Sequence, residues 1–318
     1  MLTILLKDII PIFVIMALGF IGAKKNAFSP QMTQGFNKLV LDIALPAALF
    51  VSITKATRAM LEQDLMLTAA SFIGVVGLFL LCALIAHLVF RRNLQEAAVA
   101  ALIAGSPTIG FLGFAVFDPI WGATTSVGLV VAIIAIEVNA ITIPIGFYMI
   151  NKGMGQQGKQ NSSMQAIINS LKAPVVWSPL LAVILVLVGI RWPVSLDPSF
   201  DLIAKANSGV AVFAAGLALA SIKFGFSWET LWNTVYRMLL SPLIVCIIGI
   251  LLGVKGDLLT MLTLGCALPP AFSGIIISSR YNIYLKEGAS SLAVSTLSFA
   301  LTAPLWIWAV PQIEKWFA

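Results

Sequence analysis

Two acidic side chains stand inside long apolar runs, and they open the question of chemistry. Asp42 lies in LVLDIALPAALF and Glu137 in AIIAIEVNAITIPIG. An ionisable residue at membrane depth is a functional hypothesis by default. Either carboxyl could carry a coupling proton, because burial disfavours its charged form. Glu137, with Asn139 beside it and Pro144 following, is the more attractive of the two, although a protonated structural carboxyl explains it equally well. Lys38 stands one helical turn before Asp42, which favours an ion pair there.

A second group of candidates is made of hydroxyls and breaks. AGSPTIGFLGF, from Ala104 to Phe114, and CALPPAFSGIII, from Cys266 to Ile277, carry no charge, yet each contains proline. Pro107 in the first and Pro269 with Pro270 in the second remove backbone donors and interrupt a helix. Asn93 and Glu96 match a capping box that starts the helix leading to Pro107. An unwound backbone at membrane depth survives only buried in protein or lining a wet cavity. The half-helix after each break begins with free N–H groups and about half a positive charge, which suits a small anion. The expected substrate site is therefore Ser106, Pro107, Thr108, Gly110, Pro269, Pro270 and Ser273, with Asn139 contributing from the Glu137 segment. Gly105, Gly113 and Gly274 permit close approach of backbone or substrate. Arg237 is assigned, like Lys38, to a helix end. No arginine is then expected mid-span as a carboxylate clamp, and the substrate charge is left to the helix ends.

The elements that would position these groups follow from composition. Of 318 residues, 60% are hydrophobic and 10% charged, and the mean hydropathy is +1.01. Soluble domains run near 45–50% apolar and about 25% charged. The chain reads as an all-α polytopic membrane protein. Apolar runs at about 4–22, 34–53, 66–90, 95–117, 125–150, 171–190, 203–221, 229–253, 258–279 and 290–313 predict ten transmembrane helices. They are too long and continuous for barrel strands. The N-terminal run has neither a basic region ahead of it nor a clear cleavage site, so it reads as a retained first span.

Charge excludes several classes. The net charge is +6 with a pI near 9.3, but Lys and Arg occur singly or in pairs between apolar runs, as membrane-flanking charge does and nucleic-acid patches do not. Cys82, Cys246 and Cys266 lie within apolar runs and imply neither disulfides nor a metal site. His87 is the single histidine, near a span end, which removes two-histidine metal chemistry. No cofactor is implied. An intramembrane enzyme would need a nucleophile with a base, or a carboxylate dyad at one depth, and neither is apparent. Lys24, Lys25, Arg91, Arg92, Lys152, Lys172, Arg280 and Lys286 gather on one side, which predicts both termini outside.

The polar stretch NKGMGQQGKQNSSMQ divides the chain into repeats at 1–150 and 171–318, joined by a cytoplasmic linker at 151–170. Pro11 and Pro174, Pro107 and Pro269, and Pro144 and Pro304 recur at nearly one offset. Five helices per copy is an odd number, so the second copy would be inverted, an arrangement common among secondary transporters.

FNKLVLDIALPAALF on span two, SPTIGFLG on span four, ALPPAFSGIIISSRYNIY on span nine and SSLAVSTLSFALTAPLWIW on span ten resemble the auxin efflux carrier family in its bacterial branch, which includes malonate and other dicarboxylate carriers. The resemblance covers all ten spans. It implies a fold shared with bile-acid sodium symporters, with two inverted five-helix repeats and broken helices four and nine crossing. It further implies a scaffold of spans 1, 2, 6 and 7, a transport domain of spans 3–5 and 8–10 moving as an elevator, and homodimers formed through the scaffold in the bacterial inner membrane. The expected function is secondary transport of a C2–C4 carboxylate such as malonate, oxalate or malate. Plant auxin carriers place asparagine where this chain has Thr108 and a polar residue where it has Pro270, which argues against auxin as substrate. Sodium-coupled symport is the alternative, without a second carboxylate cluster to support it, and a receptor is a more distant one.

Overall fold

The computed structural model describes residues 10–54, 65–153, 172, 174–190, 197–220, 225 and 227–317. Among them every regular element is a helix. In chain order these are α1 (Ile10–Lys24), α2 (Pro30–Leu39), α3 (Leu45–Thr54), α4 (Leu65–Leu88), α5 (Leu94–Ala100), α6 (Ile109–Trp121), α7 (Thr125–Ile136), α8 (Ile143–Gly153), α9 (Pro174–Val188), α10 (Asp197–Ala220), α11 (Trp228–Val235), α12 (Ser241–Leu251), α13 (Gly256–Ala267), α14 (Phe272–Tyr281) and α15 (Leu285–Phe317). Four wider π turns interrupt or prolong them, at Val40–Ala44, Ala101–Gly105, Glu137–Thr142 and Tyr236–Leu240. Among the described residues, six continuous helical stretches are long and apolar enough to cross a membrane: Gln31–Val51, Leu65–Leu88, Thr125–Ile150, Pro198–Leu217, Trp228–Leu251 and Leu285–Phe317. Shorter apolar helices occupy the other expected span positions, among them Leu94–Gly105 and Gly256–Ala267, each cut short by a break. Nearly all of the expected 151–170 linker lies outside the described residues.

Local chemistry sets the helix ends. Ser29 caps α2 ahead of Pro30, and its hydroxyl accepts from Met32 N–H at 3.3 Å. The Asn93–Glu96 capping box is present, with Glu96 N–H to Asn93 Oδ1 at 2.9 Å and Asn93 N–H to Glu96 Oε2 at 3.4 Å. A π turn changes which carbonyls find intrahelical partners. At Tyr236–Leu240 the Met238 carbonyl accepts Trp306 Nε1–H at 2.8 Å.

The chain groups into two compact units, Met1–Met66 with Ile109–Ile136 and Ala173–Ser221, and Leu67–Thr108 with Glu137–Lys172 and Ile222–Ala318. In the first unit α1 packs on α10 with backbones in contact. A Cβ added at Gly19 would run into the Phe213 carbonyl, and one at Gly216 into that of Met16. Small residues at such crossings are how membrane helices gain contact without a hydrophobic drive. Phe213 stacks edge-on against Phe28 at 5.1 Å, and Ser178 of α9 donates to the Pro46 carbonyl of α3 at 2.8 Å.

In the second unit one end is closed by a charge network. Arg92 Nη2 reaches Glu229 Oε2 at 2.6 Å and Glu287 Oε1 at 3.1 Å, and its Nη1 reaches Glu96 at 3.3 Å. Tyr284 donates to Glu229 Oε1 at 2.7 Å, and Asn233 donates to Tyr284 at 2.9 Å. Hydrogen bonding to Glu229 pushes the Arg92 guanidinium above its ordinary range and keeps it charged. Deeper in, Tyr236 donates to the Leu78 carbonyl at 2.6 Å and ties the π turn to α4.

Candidate functional site

Both proline breaks fall where the sequence places them, and in the second unit they are joined to each other. Between α5 and α6 the chain is non-helical at Ser106, Pro107 and Thr108; between α13 and α14 it is non-helical from Leu268 to Ala271. A residue before proline is pushed to extended geometry, and Ser106 (φ −115°, ψ 132°) and Leu268 (φ −58°, ψ 149°) have it. Pro107 and Pro270 then face each other in an isolated antiparallel bridge. Neither has an N–H to give, so they occupy a position of the ladder where the paired residues exchange no hydrogen bond. The neighbours supply the bonds: Thr108 N–H to Pro269 O at 2.9 Å, and Ala271 N–H to Ser106 O at 3.0 Å. Each break thereby satisfies the other's backbone away from water. Two of the N–H groups expected to await a ligand are used in this way. Ala271, at the N-cap of α14, forms no side-chain cap bond. Anion-binding capacity at that end rests on the first turn of α14.

The side chains around the bridge are buried polar groups. Ser106 Oγ lies 3.2 Å from Thr142 Oγ1. Thr142 donates its proton to the Val138 carbonyl at 3.0 Å, so Ser106 is the donor between the two hydroxyls and keeps its acceptor capacity. Thr108 is 3% exposed, and its Oγ1 has no hydrogen-bond partner. Native interiors rarely leave such an atom unpaired. Glu137 and Thr142 bound the same π segment. Glu137 is 4% exposed; its Oε2 accepts Ser71 Oγ–H at 2.6 Å and its Oε1 has no partner.

Of the residues expected at the site, Ser106, Pro107, Thr108, Pro269 and Pro270 are brought together, with the Glu137 segment adjoining through Thr142. Asn139 is half-buried on that segment. Ser273 stands in the first turn of α14, and its side chain lies outside the described residues. Gly110 belongs to α6, grouped with the first unit. Gly105 and Gly274 serve helix packing: an added Cβ would lie 2.9 Å from Phe79 Cα and 2.7 Å from the Leu102 carbonyl, respectively.

Two expectations are corrected. Asp42 sits exposed on the π turn Val40–Ala44, and among the described residues Lys38 forms no ion pair with it; the intervening turn is π and not α, which alters the one-turn spacing. Arg237 is no helix-end charge. It is the tenth residue of a continuous apolar helical stretch beginning at Trp228, some 13 Å in at about 1.5 Å per residue, and is 1% exposed. Thr142, Ser71 and Arg237 are the polar groups that sequence reasoning missed. Arg237 alone had a signal, a single charge in YRMLLSPLIV.

The membrane transport protein family matches residues 4–307 of the chain. The uncharacterized transporter YfdV of Escherichia coli strain K12 is 56% identical over 308 residues, covering 97% of this chain and 98% of that one. An uncharacterized transporter of Methanocaldococcus jannaschii, MJ1031, is 23% identical over 95% of this chain and 97% of its own. Auxin efflux carrier component 4 of Arabidopsis thaliana is 31% identical over 122 residues, 36% of this chain and 20% of the plant protein. A helical, multi-pass chain matched across nearly its whole length in this way belongs to the membrane transport protein family, that of the auxin efflux carriers.

Proposed function

We propose that the protein is a secondary transporter of a small organic anion, a C2–C4 mono- or dicarboxylate such as malonate, oxalate or malate, working by elevator-type alternating access. The observation that carries the reading is the Pro107–Pro270 bridge with the orphaned Thr108 hydroxyl beside it, in a chain of a transport family. Unwound backbone of this kind is costly at membrane depth and is retained where it binds or conducts something. The free Thr108 hydroxyl and the uncapped first turn of α14 offer donors and a favourable dipole to a carboxylate. Two inverted five-helix repeats fit the placement of Pro107 and Pro269 in matching breaks. Spans 3–5 and 8–10 would travel with the site while spans 1, 2, 6 and 7 form a dimeric scaffold. The Lys and Arg bias favours both termini outside, and the family resemblance favours the bacterial inner membrane.

Glu137 is the coupling residue in this reading, exchanging a proton at the carboxyl whose Oε1 has no partner. The test is uptake of labelled malonate, oxalate and malate into proteoliposomes of the purified protein under imposed proton or sodium gradients. Saturable uptake driven by a proton gradient supports the reading. Sodium-driven uptake replaces the coupling ion, and no uptake of any of the three refutes the substrate class.

A further inference from the structure

Among the described residues, Arg237 is a positive charge with no anion to meet it. It lies in the π turn Tyr236–Leu240 of the apolar stretch Trp228–Leu251, is 1% exposed, and its Nε and Nη2 have no hydrogen-bond partner. A guanidinium does not give up its proton in proteins, and a buried charge without a partner is a standing penalty on the fold. Among the described residues no ion pair involves it. Glu229 is engaged by Arg92 and Tyr284; Glu137 accepts from Ser71 at Oε2 and forms no ion pair with Arg237.

The packing of its π turn locates the charge. Cys266 stands on the last turn of α13, just ahead of Leu268 and Pro269. Cys82 packs at Gly105, just ahead of Ser106; a Cβ built on that glycine would lie 3.3 Å from Cys82 Cβ. The π turn bearing Arg237 packs against both α13 and Ala101–Gly105, the helical segments that lead into the bridged breaks. Charge and breaks thus belong to one corner of the second unit. Nε–H and Nη2–H lie side by side on one edge of the guanidinium, the fork that matches both oxygens of a single carboxylate.

We propose that Arg237 is the fixed cationic contact of the transported anion, binding one carboxylate through Nε and Nη2 while Thr108 Oγ1 and the first turn of α14 receive the rest of the molecule. The assignment rests on the anion-carrier reading above and makes it specific. A carboxylate neutralises a charge that the empty protein leaves bare, so affinity should fall from a dicarboxylate to a monocarboxylate and vanish for an uncharged diamide. It also explains why a chain without a conspicuous basic cluster can select anions: one desolvated guanidinium outweighs several screened surface lysines.

The test uses the purified full-length protein with malonate, oxalate and uncharged malonamide, read by ligand-induced thermal stabilisation and by equilibrium binding. Wild type should respond to malonate and not to malonamide. Arg237→Met, which keeps the stem and removes the charge, should fold at least as stably and lose malonate affinity by at least about thirtyfold, the scale of a truncated buried charge pair. Arg237→Lys keeps the charge without the fork and should fall between the two. Folded Arg237→Met or Arg237→Gln that binds malonate within about twofold of wild type overturns the proposal. Failure of all three variants to fold assigns Arg237 a structural role and overturns it equally. If wild type itself binds neither malonate nor oxalate, the substrate class fails first, a result distinct from a loss confined to the variants.

Discussion

Replacing Thr108 with valine should leave the protein at least as stable as before and strip it of most of its substrate affinity. The two shapes are nearly identical, so packing is preserved; what changes is the hydroxyl, 3% exposed and without a partner. A buried unsatisfied polar group costs about 1–3 kcal/mol, and a methyl in its place removes that cost. In the proposed loaded state the same hydroxyl would donate to a carboxylate, a bond worth about 1.5–3 kcal/mol. Its loss corresponds to roughly 10- to 150-fold weaker binding. The opposite signs matter, because a mutation that merely damages the fold lowers stability and activity together. The assay pairs a thermal unfolding midpoint in detergent with equilibrium binding of labelled malonate to the same preparation. A midpoint unchanged or raised, with affinity reduced at least tenfold, is the expected outcome. Normal affinity would move the site away from the bridge. A midpoint lowered by several degrees would mean that Thr108 has a partner in the fold, and the orphaned hydroxyl could no longer be assigned to a ligand.

Three further outcomes are expected. Glu137→Gln should keep substrate exchange and abolish the response of uptake to a pH gradient, measured in proteoliposomes with and without an imposed gradient; an unchanged response removes Glu137 from coupling. Gly274→Ala should cost about 1–3 kcal/mol by overpacking against the Leu102 carbonyl, 2.7 Å from the new Cβ. That exceeds the roughly 1 kcal/mol that alanine gains in a helix, so a stabilised variant in chemical unfolding would contradict the packing. Arg92→Gln leaves Glu229, whose side chain is 8% exposed, without its cation. Because Arg92 itself keeps 26% of its surface, the loss should be about 2–4 kcal/mol, somewhat under that of a fully buried pair. The substrate KM should not move, and a changed KM with unchanged stability would make the network part of the site.

The parts of this structure legible in sequence are those with local causes. Pro107, Pro269 and Pro270 dictate breaks through their own missing donors and the extended geometry they impose on Ser106 and Leu268. The Asn93–Glu96 box is fixed by a spacing of three. What was not legible depends on partners far along the chain. Ser71 meets Glu137 across 66 positions and Ser106 meets Thr142 across 36. The bridge that consumes the Thr108 and Ala271 N–H groups joins elements from opposite halves of the chain. Arg237 is a different failure: its isolation was visible, but assigning it to a helix end ignored the apolar residues flanking it on both sides.

An experimental structure of the protein saturated with malonate tests the central claim most directly. Density for the anion at the Pro107–Pro270 bridge, within hydrogen-bond distance of Thr108 Oγ1, is the predicted result. Malonate bound elsewhere, with the bridge bare and the Thr108 hydroxyl still without a partner, would contradict the account.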